Sequence, residues 1–314
     1  MRFQTNLQNM LERYRLLAPL LQRYWKYHPL DLRSSDLTPI TAFSKFSHRP
    51  FLLNINLPDC RILRGVAIAA RQDANNPFIN ALVSFQKSGC ESSVSNELRN
   101  YYRSFQPASS AELFGLKKST SHYSILSAYG YIYPWDAVPK PNHEARRLRA
   151  IAREDATHGS RLGFQGWHHF GPVSEAKIKL ESRRLLHTYK SIAESGYLRR
   201  NGKDGDIEGE ILEANDKTVL LVKKGHHRIA AMVALDYSSV PVRLNVHQPA
   251  LIQRSQSSQW PNVKAGNYVH TEALEIFDRA FRGETHNLSF DDKLSAALLG
   301  SNSVPNGCAP QPYK

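Results

Sequence analysis

An apolar run from Thr218 to Val222 leads through Lys223 and Lys224 into Gly225, and a second run of small and apolar residues, Ile229 to Tyr237, follows directly after His226, His227 and Arg228. The first run has the β-branched, aliphatic character of a buried strand, and the second has helical spacing. Glycine at the junction permits a backbone angle that other residues avoid, so strand and helix meet at a tight corner. Such a corner leaves the first helical N–H groups unpaired at the positive end of the helix dipole, where an anion fits. Arg228 adds a fixed cation, Lys224 a further positive contact, and His226 and His227 add groups that exchange protons near neutral pH.

The same residues resemble the ParB/sulfiredoxin superfamily, whose members carry a Gly-X-His-Arg turn, a helix of small residues, a short loop and a Val-Pro-Val strand. Here Gly225-His226-His227-Arg228 is followed by Ala230, Ala231, Ala234 and Leu235, and then by Val240, Pro241 and Val242. Upstream, His187 to Tyr197 is similar to a family helix that ends on a glycine, Gly196 in this chain. The resemblance runs roughly from Trp167 to Val246. His226 stands where sulfiredoxins carry their catalytic cysteine, and the box is closer to the Asp-Gly-His-His-Arg of free serine kinases, with Lys224 in place of the aspartate.

The resemblance implies a nucleotide, ATP, ADP or another, held by Lys224, Gly225, His226, His227 and Arg228, with magnesium as cofactor. It implies phosphoryl transfer to a small hydroxylated substrate, a sugar or an amino acid. It also implies Glu175, His226 and His227 as catalytic residues, because kinase-like relatives place a catalytic carboxylate near the position of Glu175. A base there suits phosphoryl transfer, which needs an acceptor for the hydroxyl proton. The alternative for this stretch is structural, with Ser174 capping a helix and Glu175 favouring its first turn. Glu181 on the same helix is the second choice of carboxylate.

The chain has 314 residues, 41% of them hydrophobic, enough for one large core or two modest ones. Three widely spaced cysteines, Cys60, Cys90 and Cys308, form no metal or redox spacing and fit a reducing compartment, so the expected location is cytoplasmic. No run reaches the ~20 apolar residues of a membrane span. Residues Leu7 to Tyr27 read as a basic amphipathic helix interrupted at Pro19, for which membrane-surface contact and ordinary packing are the two readings. A net charge of +13 implies attraction to anions without choosing among nucleotides, nucleic acid, phosphorylated sugars and acidic lipid. The rival function is therefore a ParB-like nucleic-acid-binding or nuclease module with a nucleotide switch, although no helix-turn-helix follows the box.

The expected fold class is α+β, mixed α/β, in three parts. Residues 1–141 read as a mainly helical N-terminal region, 142–248 as the ParB/sulfiredoxin-like domain, and 249–314 as a C-terminal extension with a helix over Thr271 to Phe281 and a polar, disordered tail. Helices are expected over Pro77 to Phe85, Val94 to Phe105, His143 to Asp155 and Glu175 to Glu194. Strands are expected at Trp167 to Phe170, Glu208 to Leu212, Thr218 to Val222 and Val240 to Val246. Lys117 to Pro141, rich in Ser, Tyr and Pro, reads as an extended segment crossing the surface between units.

Three further groups carry chemistry. Asp204, Asp206, Glu208 and Glu210 surround a glycine turn, either as an acidic set for magnesium or a polar substrate or as a solvated hairpin. His168 and His169 with His226 and His227 raise zinc, but adjacent pairs lack the helical spacing that aims two imidazoles at one ion, so no metal ligand is assigned. Trp260, Pro261, Asn262, Lys264 and Tyr268 line a pocket or pack an extension.

Overall fold

The computed structural model describes residue 24 and residues 28–284, apart from 47–48, 117–118, 162, 200–204 and 246–249. The Leu7 to Tyr27 helix, apart from Tyr24, and the tail beyond Gly300 lie outside the described residues. The chain is a mixed α+β structure. Its strands are β1 (Leu30–Asp31), β2 (Phe51–Asn56), β3 (Cys60–Ile62), β4 (Ile68–Ala69), β5 (Ile207–Ala214), β6 (Lys217–Lys224), β7 (Ser239–Leu244) and β8 (Leu251–Gln253). The helices are α1 (Pro39–Phe46), α2 (Pro77–Ser88), α3 (Glu91–Ser104), α4 (Ser110–Phe114), α5 (His143–Thr157), α6 (Glu175–Ser195), α7 (His226–Ala234), α8 (Pro261–Lys264) and α9 (His270–Arg282).

All eight strands join one sheet in the order β1-β2-β7-β5-β6-β3-β4, with β8 paired to β5. β5 and β6 form an antiparallel hairpin whose turn residues, Asn215 and Asp216, both adopt positive φ, the backbone that a tight two-residue turn demands. β7 runs parallel to the start of β5 and β8 parallel to its end, so two strands share one side of β5 in succession. On the outer flanks, β2 pairs antiparallel with β7 over six residues, and β3 pairs parallel with β6.

This topology corrects the division at residue 141. The segment before it, though helix outweighs strand among its described residues, shares a sheet with the box: β2 and β3 are inner strands of that sheet. The C-terminal segment likewise contributes β8. The alternation of apolar and polar positions over residues 51–66, broken at Pro58, reads as extended chain and strands do lie there, but their partners are far along the chain, so that local period does not reveal their place in the sheet.

The segment from 119 to 141 is also not a surface crossing. Tyr131, Tyr133 and Trp135 are 1%, 0% and 1% exposed. Their polar ends are satisfied where needed: the Gly65 N–H donates to the Tyr133 hydroxyl at 2.9 Å. Trp135 stacks on Tyr133 and meets Trp260 and Phe277 edge-on, so Trp260, Asn262 and Tyr268 are buried while Pro261 and Lys264 stay exposed; Asn262 Nδ2 donates to the carbonyls of Tyr133 and Asp136. Residues Trp167 to Phe170 form a turn closed by one bridge between its ends and not a strand. Helix α9 starts at His270 after Val269, so Thr271 lies inside it and does not cap it.

Helix α7 carries Ala230, Ala231 and Ala234, all buried, together with Ile229, Met232 and Val233. A helix apolar on every side is enclosed, and here α2 and α6 pack against it. Among the described residues no helix is long and apolar enough to cross a membrane.

Candidate functional site

β6 ends at Lys224 and α7 begins at His226, with Gly225 between them at φ 98°. A Cβ at Gly225 would lie 2.7 Å from Ile207 Cγ1, so both the backbone angle and the approach of β5 require glycine. No side chain caps the helix. The first-turn residues, Gly225 to Arg228, line a cavity of about 990 Å³. The anion-ready corner expected from the sequence therefore opens onto space large enough for a small ligand.

The cavity wall is cationic. Arg64, Arg147, Arg184, Lys223, Lys224 and Arg228 face one carboxylate, Glu154. Four of these cations are paired: Arg64 with Asp136 (2.8 Å) and Glu210 (3.5 Å), Arg184 with Glu181 (2.9 Å) and Glu154 (3.1 Å), Lys223 with Glu210, and Lys224 with Glu208 (3.1 Å). Arg228 and Arg147 differ. Arg228 Nη1 donates to the Gly205 carbonyl at 2.5 Å, and Arg147 Nη1 donates to the carbonyls of Tyr129 and Tyr131 while its guanidinium lies 4.3 Å from the centre of the Tyr131 ring. Among the described residues neither has a carboxylate partner, so both keep a full charge toward a bound anion.

Behind His227 lies Glu181, fully buried on α6. Its carboxylate meets Lys177 Nζ at 2.8 Å, Arg184 Nη1 at 2.9 Å and His227 Nε2 at 3.1 Å, and Lys177 also pairs with buried Asp155. Burial pushes the Glu181 carboxyl up, but the His227 contact and the neighbouring positive charges outweigh it and hold the group well below the usual carboxylate range.

Glu175 is elsewhere. Its side chain is 55% exposed in the first turn of α6, both carboxylate oxygens accept from Arg99 at 2.9 Å, and the preceding Ser174 accepts the Lys177 N–H. It does not line the cavity. The structural alternative for this stretch, a capped helix start, is the arrangement observed. The structure thus brings Lys224, Gly225, His226, His227 and Arg228 together and leaves Glu175 outside, with Glu181 as the carboxylate that reaches the box.

The acidic run is also committed elsewhere. Asp206 holds Arg199 and Arg243, Glu208 holds Lys224 and Asn245, and Glu210, 1% exposed, holds Arg64 and Lys223 and accepts from Trp135 Nε1 at 3.4 Å. Asp204 lies outside the described residues. A magnesium cage needs oxygen ligands free to face the ion, and these carboxylates do not fit that demand.

Three imidazoles, from His168, His169 and His226, crowd the cavity wall. Burial, joined by the charge of neighbouring side chains, pushes His168 and His169 well below the usual histidine range and His226 down to about 3, so all three rings are neutral at pH 7. Sequence reasoning did not place Arg64, Arg147 and Arg184 at the site. The adjacent histidines at 168 and 169, and the basic clusters along α5 and α6 that hold Arg147 and Arg184, are the local signals for this part of the wall.

No family model, curated protein or solved structure matches the chain.

Proposed function

We propose that the cavity binds a phosphate-bearing ligand, a nucleotide in the first instance, and that the protein transfers a phosphoryl group to the hydroxyl of a small substrate. The observation that carries this reading is the convergence of an uncapped helix start with two guanidinium groups, on Arg228 and Arg147, that lack carboxylate partners among the described residues. The resemblance of the Gly225 to Arg228 box to ParB/sulfiredoxin-like proteins supports the same reading, and a cytoplasmic location goes with it.

In this account the first-turn N–H groups and Arg228 hold the phosphate, and Arg147 adds positive charge from the cavity lining. His227, whose Nε2 lies 3.1 Å from Glu181, accepts the proton of the attacking hydroxyl on a ring nitrogen as that oxygen bonds to phosphorus and the leaving oxygen departs with its electron pair. Glu181 positions that imidazole. Magnesium would enter with the nucleotide, since Asp206, Glu208 and Glu210 are committed to other cations. The nucleic-acid alternative rests on the net charge of +13 alone.

Calorimetric titration with ATP and ADP tests the reading. Loss of a charge-assisted contact in Arg228→Ala weakens nucleotide binding by roughly 10- to 100-fold, the equivalent of about 1.5–3 kcal/mol. Equal affinity in wild type and variant removes the phosphate role.

A further inference from the structure

The geometry points to a second site in the same cavity: a centre for a divalent transition metal, of the zinc class, held by the imidazoles of His168, His169 and His226. One ring nitrogen from each lies within 4.8 Å of the other two. Tetrahedral zinc with ordinary Zn–N bonds sets such nitrogens ~3.4 Å apart, so closure asks each ring tip to move by less than about an ångström. The three rings already meet at steep angles, with His168 against His169 at 85° and His169 against His226 at 80°.

The support behind the rings is of the kind that metal ligands need. His169 Nδ1 lies 2.6 Å from the Arg64 carbonyl; a proton donated there leaves Nε2 bare. The backbone of the histidine pair is pinned by two buried tyrosines: Tyr101 donates to the His169 carbonyl at 2.5 Å and Tyr102 to the His168 carbonyl at 3.1 Å. Gly171, just beyond, has its Cα against the Tyr102 carbonyl with no room for a side chain, which fixes the turn on α3. His226 Nδ1 now accepts the Leu63 N–H at a long 3.2 Å, while the Lys223 carbonyl is also in hydrogen-bonding reach of the ring. Metal capture by Nε2 requires the ring to give up the first contact and carry its proton on Nδ1.

Among the cations that act on these rings, Arg64 is already neutralised by Asp136 and Glu210, while Arg147 and Arg228 have no carboxylate partner among the described residues. Three histidines leave one tetrahedral position open to the cavity for water or a ligand oxygen.

The site is independent of the phosphate reading, and one set of samples separates the two. Full-length protein is stripped with a chelator, checked for retained structure by circular dichroism, and titrated with Zn2+ by calorimetry and with Co2+ by visible absorption. The expected result is one equivalent bound, with the intense visible bands of tetrahedral Co2+. His169→Gln weakens Zn2+ binding by at least ~100-fold, and Tyr101→Phe, a milder change in the support, by about 10-fold. Arg228→Ala leaves Zn2+ affinity within about twofold, whatever it does to nucleotide. Folded, stripped wild type that takes up no stoichiometric Zn2+ overturns the site, and that result needs no variant to fold. Binding that survives His169→Gln, or that is lost in Cys90→Ser instead, overturns it equally.

Discussion

Glu181 is a fully buried carboxylate touched by Lys177, Arg184 and His227, and these three groups decide what its loss costs. Glu181→Gln leaves buried positive charge without its partner and destabilises the fold by about 3–5 kcal/mol, read from denaturant unfolding. Glu175→Gln, at the exposed start of the same helix, leaves the unfolding midpoint where it is. Six residues of α-helix turn through about 600°, so the two carboxylates face different directions. Which direction meets the box depends on how α6 packs on α7, and no spacing within α6 reveals that. Gly225 was legible for the opposite reason: strand, glycine and helix follow one another directly, and the corner they make is local. Gly225→Ala forces a side chain into positive φ and against Ile207, and its expected cost is roughly 1–3 kcal/mol in the same measurement.

At the scale of elements, helices with caps and regular apolar spacing were legible and short strands were not. Helix α2 shows why: Asn76 accepts the N–H groups of Phe78 and Ile79, Pro77 opens the first turn, and Gly89 closes the helix at φ 67°. Asn76→Ala removes that cap in a buried setting and lowers stability by about 1–2 kcal/mol, measurable as a lower denaturation midpoint. The strands β3, β4 and β8, two or three residues each, carry no period of their own, and only their partners define them. Helix α9 is tied down by Glu272, which accepts the Thr120 N–H at 2.6 Å and the hydroxyls of Ser119, Thr120 and Ser124. Burial pushes this carboxyl up, yet the Thr120 N–H and the serine hydroxyls outweigh it and bring it from 4.5 down to about 2. Because the folded value is the lower one, its stabilising contribution is complete above the unfolded value near 4.5 and disappears as pH falls toward about 2. Acid unfolding of Glu272→Gln is therefore flatter than that of wild type across this window.

For the whole molecule, the single sheet decides which pieces stand alone. A fragment covering residues 142–314 lacks β2 and β3, leaving β7 and β6 with bare edges and α7 without α2. Expressed alone, it shows no cooperative unfolding transition by circular dichroism, whereas the full chain does. Composition changes near residue 141 and suggests a boundary there, but the pairing between residues 51–56 and 239–244 leaves no trace in either stretch alone. That pairing also sets an order of events during synthesis. On the ribosome, Phe51 to Asn56 emerges nearly two hundred residues before the strand that covers its flank. Until translation reaches Leu244, this apolar edge lacks its partner strand, so the sheet closes only after most of the chain has been made.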